Sequence, residues 1–234
     1  MEEFFIKNNS LLTNIIEILA AVTGILLFKK YKYTAAKHFV FFLCYLSIGD
    51  LINLHNRFIR NNGILSFLEG TVFEKNYWWT TLYWKIGAIL FFVFYYNKIL
   101  KTEVFKNIIK YSGFVFFTIS VIYILINWDL FFLRFFPIIS IMGAVIIFMC
   151  TAFYFFEVLQ TDKILTFYKS INFYISAAIF IWWLIITPIV FYDIYGEYRD
   201  IVYIHLRRHI YLFANILMYL TFTFALIWCK PEND

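Results

Sequence analysis

RFFPIISIMGAVIIFMCTAFYFFE, residues 134–157, runs from Arg134 to Glu157 with no charged residue in between. Wound as a helix rising about 1.5 Å per residue, it is long enough to cross the roughly 30 Å hydrocarbon core of a bilayer. Further apolar runs lie on either side of it, at residues 11–28, 38–56, 78–97, 111–128, 168–192 and 204–229. These runs are continuous rather than alternating, so an outer-membrane barrel does not fit. The whole chain of 234 residues is 63% hydrophobic, against about 45–50% for soluble domains, which excludes a water-soluble globule. The expectation is one all-α integral membrane domain over residues 1–234, a bundle of seven transmembrane helices.

Short polar or aromatic connections join the runs. The tail after Trp228 is CKPEND, so any signal is expected to pass through a partner. Glu2 and Glu3 precede the first run where a cleavable signal peptide wants positive charge, so that run is expected to stay as a span. Cys44, Cys150 and Cys229 show no metal spacing and read as packing residues. The net charge of +5 comes from residues at helix ends, where the orientation rule and lipid headgroups account for them, so nucleic acid is not an expected partner.

Eleven lysines fall on one side of this topology: Lys29, Lys30, Lys32, Lys37, Lys98, Lys101, Lys106, Lys110, Lys163, Lys169 and Lys230. The other side holds eight basic residues, namely Lys7, Lys75, Arg57, Arg60, Arg134, Arg199, Arg207 and Arg208. The lysine excess predicts a cytoplasmic C-terminus and an outside N-terminus in the inner membrane. All six arginines then lie outside, where their planar forks can bind carboxylate or phosphate. They can equally pair with Glu69, Glu74, Asp129, Asp193, Glu197 and Asp200 of the same loops, or with lipid phosphates. Tyr77, Trp78, Trp79, Trp128, Tyr192, Tyr195 and Tyr198 mark the outer interface, and Tyr31, Tyr33 and Trp228 the inner one. Pro137 and Pro188 are read as lying inside spans five and six, where each would bend its helix.

Ionisable groups inside a span normally face protein or water. Glu17, Asp50 and Lys85 all sit near 10 Å below the outer surface by helical rise and are expected to share one layer. Asp50, Asn53, Arg57 and Arg60 recur on one helical face of span two, and His205, Arg208, Leu212, Asn215 and Tyr219 form a similar stripe on span seven. Together these predict a water-accessible pocket open to the outside above a Phe-rich inner half. Glu17, Asp50, Asn53, Arg57, Lys85, Arg208 and Asn215 are its candidate ligand-binding residues. The structural alternative is that Glu17 or Asp50 pairs with Lys85 to fix helix packing.

His205 and His209, four residues apart, have a spacing that could bind zinc, with Glu17, Ser47, Asp50 and His55 at outer-leaflet or mid-membrane depth. Seven-helix hydrolases related to alkaline ceramidases use such a pair in the last helix, and the chain resembles them there; Arg207 and Arg208 interrupt the match and oppose a second cation. No lysine lies between Ile204 and Cys229, which rules out a retinal Schiff base in span seven. No cofactor is expected. Lys29 to Tyr33, Glu157 with Asp162 and Lys163, Pro188, and Asn215 to Tyr219 carry a further likeness: the layout resembles a family of small seven-helix inner-membrane proteins of Bacteroidetes-type bacteria. That resemblance implies a sensory or accessory subunit working with a membrane-bound signalling kinase and brings no catalytic residues. The expected function is therefore receptor-like binding of a small anionic or amphipathic ligand in the outer half of the bundle. A proton- or ion-coupled transporter using Glu17 or Asp50 is the second reading, and a zinc-dependent hydrolase the third.

Overall fold

The computed structural model describes residues 2–59, 63–195 and 201–231. Every apolar run of the sequence falls on a long helix. These are α1 (Glu2–Leu26), α2 (Ala36–Asn53), α3 (residues 77–99), α4 (Glu103–Ile126), α5 (Pro137–Leu159), α6 (Ile171–Tyr195) and α7 (Ile201–Trp228). α3 is composite: an α-helical turn at Tyr77–Thr80, a wider π-helical segment at Thr81–Ala88 and α-helix again at Ile89–Ile99. Among the described residues no strand forms.

Five segments are long and apolar enough to cross a membrane: Asn8–Leu26, Glu103–Ile126, Pro137–Leu159, Ile171–Ile194 and Ile201–Trp228. The other two long helices, α2 and α3, are more polar. α2 carries Lys37, His38, Asp50 and Asn53, and α3 carries Lys85, Asn97 and Lys98 beside its tyrosines and tryptophans. Both pack among the apolar five. Neighbours follow the order α1, α2, α3, α5, α6, α7 and back to α1, with α4 set outside against α3 and α5. The outward surface of α4, including Phe114, Phe117, Ile122 and Leu125, is exposed and apolar, as a lipid-facing helix requires.

Close approach between helices rests on small residues. A Cβ added at Gly113 of α4 would lie 2.6 Å from Val93 of α3, so only glycine lets the two backbones come this near. At the end where α1 finishes, the bundle is filled by aromatic side chains. Phe39 packs edge-on against Phe222 at 4.8 Å, while Tyr95 and Tyr96 are fully buried and donate to Asn172 and Ser176 of α6 at 2.6 and 2.8 Å. Those bonds satisfy buried hydroxyls that would otherwise be costly. The α7 C-terminus is tied down at the same end. Lys30 donates to the carbonyls of Leu226 and Ile227 (3.0 Å each) and the Tyr31 hydroxyl to those of Leu226 (2.9 Å) and Cys229 (3.1 Å), supplying donors to terminal carbonyls without helical partners.

Pro137 does not bend a span. It is the first residue of α5, where the missing N–H costs nothing and the fixed φ suits a helix start. Pro188 does lie inside α6.

Candidate functional site

The polar residues of the bundle separate into two groups, because Tyr83 and Lys85 stand two positions apart on α3 and so project to opposite sides of it. Tyr83 faces α1, α2 and α7. Lys85 faces α5, α6 and α7.

On the Lys85 side, α3, α5, α6 and α7 enclose a cavity of about 580 Å³ at the end of the bundle where α1 begins. Among the described residues its charged lining is cationic in balance: Lys85, Arg134 and Arg207 against Asp193. Arg207 Nη2 lies 3.0 Å from Asp193 Oδ2, and the Tyr203 hydroxyl donates to Asp193 Oδ1 at 2.6 Å, so this carboxylate is already engaged. Arg207 also lies over the Tyr211 ring, 5.7 Å from its centroid. Lys85 Nζ stands 4.6 Å from the centroid of Phe135, and neither Lys85 nor Arg134 makes an ion pair among the described residues. Cation–π contact lessens the cost of holding an ammonium there without removing its capacity to bind an anion.

The apolar walls come chiefly from aromatic rings. Trp84 meets Trp182 edge-on at 5.4 Å, and Trp182 meets Trp183 at 5.2 Å. The Trp182 indole N–H donates to Asn215 Oδ1 at 2.7 Å, so Asn215 of α7 sets the angle of this wall without lining the cavity. Ser140 also lines it, and its buried hydroxyl has no hydrogen-bond partner among the described residues. Such a site offers positive charge, flat apolar faces and an uncommitted hydroxyl.

On the Tyr83 side, Glu17 of α1 is fully buried and faces Asp50 and Ser47 of α2 and Tyr219 of α7. The Tyr83 hydroxyl donates to Asp50 Oδ1. Tyr83 itself is held by Trp79, stacked 5.5 Å away, whose indole N–H donates to the Gly49 carbonyl at 2.9 Å.

The expected single layer of Glu17, Asp50 and Lys85 is therefore not formed: the two acids meet and the lysine turns away to the cavity. The face of Asp50, Asn53, Arg57 and Arg60 is interrupted too, since α2 ends at Asn53, Leu54 makes a turn, and a separate short helix spans His55–Ile59. Asn53 joins α2 to α3, its side-chain oxygen accepting from Thr80 at 3.2 Å. The Arg57 side chain and Arg60, Glu197, Tyr198, Arg199 and Asp200 lie outside the described residues. Arg208 is exposed, and its carbonyl accepts from Asn9 at 2.8 Å. His209 Nδ1 stands 2.9 Å from the His205 carbonyl, and both ring nitrogens of His55 face backbone carbonyls. Among the described residues no group of three or more His, Cys, Asp or Glu is arranged to hold a metal ion.

Sequence reasoning left Arg134, Arg207, Asp193, Trp84 and Trp182 out of the ligand-binding set. One signal was readable: Tyr203, Arg207 and Tyr211 recur every four residues, marking a polar aromatic face on α7.

Fold and surface define a multi-pass helical membrane protein. Comparison with protein-family models, with curated proteins and with solved structures finds no match for the chain.

Proposed function

We propose that this is a receptor-like protein of the cytoplasmic (inner) membrane that spans it seven times, N-terminus outside, and binds a small anion with a flat apolar body between α3, α5, α6 and α7. The observation that carries the reading is the cavity of about 580 Å³ in which, among the described residues, Lys85, Arg134 and Arg207 outnumber the already paired Asp193. The volume falls in the range of small-molecule sites, and the mixture of tryptophan walls with a few placed charges is their usual chemistry. The lysine distribution supports the orientation, which opens the cavity to the outside. Ligand-driven movement of α3 is the proposed output, received by a membrane partner such as a signalling kinase, because that helix runs on from Lys85 to the buried Tyr95 and Tyr96 at the other end.

The test is purification in mild detergent followed by mass spectrometry of bound small molecules and proteins. An anion with an apolar body is expected on the wild type and lost from Lys85→Met and Trp182→Ala. Equal retention by both variants would refute the assignment to this cavity. A partner protein recovered in stable ratio would identify the output.

A further inference from the structure

The acids on the far side of α3 are not used by the cavity. Glu17 is 0% exposed, and neither of its carboxylate oxygens makes a hydrogen bond among the described residues; nor does the buried Ser47 hydroxyl. The groups acting on Glu17 are Asp50 and Ser47 from α2 and Tyr219 from α7, with Tyr83 of α3 on the Asp50 side, and no basic side chain of the described residues stands among them. Two carboxyl groups this close in a low-dielectric seam cannot both stay ionised without a compensating positive charge. The compensating charge must come from a proton or from a bound cation, and the Tyr83 hydroxyl, which donates to Asp50 Oδ1, supplies neither.

We infer that the seam between α1, α2 and α7 is a binding site for a monovalent hard cation of the sodium class, held by the carboxylates of Glu17 and Asp50 with the hydroxyls of Ser47 and Tyr219. The donors are all oxygen, which suits a hard ion rather than a soft transition metal. Single charge follows from the burial of Glu17 and Tyr219 and from the thin shell: desolvation rises steeply with charge, and two carboxylates with neutral hydroxyls are few donors for a divalent ion that wants six or more oxygens. Tyr83, donating to Asp50 from outside the shell, orients that carboxylate. The site shares no residue with the anion cavity, and either assignment can fail without the other.

The test is thermal unfolding of the purified protein in mild detergent at pH 8, in sodium chloride against choline chloride at equal ionic strength. A ligand that binds only the folded state raises its stability in a saturable way. Sodium is therefore expected to raise the midpoint by several degrees, with a smaller rise at pH 5, where protons compete for the same oxygens. Glu17→Gln and Asp50→Asn are each expected to lose the response while Lys85→Met keeps it. Should either acid variant fail to fold, binding of radioactive sodium to the wild type, displaced by acid but not by choline, decides. Identical midpoints in sodium and choline at pH 8 would overturn the proposal, as would a response to calcium alone or one that survives both substitutions.

Discussion

Gly49→Ala is a single added methyl group whose cost can be worked out from its surroundings. A Cβ at position 49 would lie 2.5 Å from Cδ2 and 2.7 Å from Cε2 of Tyr83. Carbon atoms settle at about 3.5–4.0 Å, so roughly 1 Å must open between α2 and the ring. The ring is not free to swing, because Trp79 stacks on it and its hydroxyl is bound to Asp50. Overpacking of this kind costs about 1–3 kcal/mol, and losing the Tyr83 hydrogen bond adds about 0.5–1.5 kcal/mol. The better helix propensity of alanine offsets about 0.5–1 kcal/mol. The expected net destabilisation is about 0.5–4 kcal/mol, centred near about 2 kcal/mol and read from reversible unfolding in mixed micelles. The control is the same substitution in a Tyr83→Ala background, where the obstructing ring is gone and Gly49→Ala is expected to be neutral or stabilising by up to about 1 kcal/mol. An equal loss in both backgrounds would show that the ring is not what glycine accommodates, and the reasoning would fall.

Asp193→Asn is expected to destabilise by about 1–3 kcal/mol, by depriving Arg207 of its carboxylate, and yet to tighten anion retention in the cavity by freeing that guanidinium; unchanged or weaker retention in a binding assay would count against the cavity's electrostatics. Asn215→Leu leaves the Trp182 indole N–H without its acceptor, so a loss of about 1–3 kcal/mol and a shifted tryptophan emission are expected, and an unaltered spectrum would argue against the bond. Tyr31 lies beyond the span of α1, and burial holds its phenol above the ordinary tyrosine range. Its contribution is therefore fully present below about pH 10, the ordinary tyrosine value, and is lost as pH rises through the raised folded value. Tyr31→Phe is expected to be less stable at neutral pH and to show a shallower alkaline loss; an unchanged alkaline slope would refute the sign.

How far the sequence could be read depended on which coordinate a feature lives on. Length and apolarity are one-dimensional, so the apolar runs marked the long helices to within a few residues, the largest difference being where α1 and α4 start. Depth is nearly one-dimensional as well, which is why Glu17 and Asp50 could be matched by helical rise and do meet. Azimuth is not, because it depends on which helices flank each face and on local winding. Lys85 shares the depth of the acids but lies in the π-helical segment Thr81–Ala88, and its direction could not be taken from spacing. The Arg207, Asp193 and Tyr203 cluster was hidden for a related reason: it needs the end of α6 laid against the start of α7, a pairing that the sequence of neither helix announces.

That same π-helical segment gives the two polar sites a physical connection. Tyr83 holds Asp50 on one side of α3, and Lys85 reaches the cavity on the other, two residues along the same turn. A wide turn can relax toward α-helix by shifting one residue in register, and such a shift rotates every side chain within it. Tyr83 and Lys85 cannot then move separately. An anion that draws Lys85 into the cavity alters the hold of Tyr83 on Asp50, and a change at the acids alters the presentation of Lys85. The coupling is reciprocal by thermodynamic necessity, so sodium dependence of anion retention, and its disappearance in Tyr83→Phe, would mark α3 as the element that both sites bias.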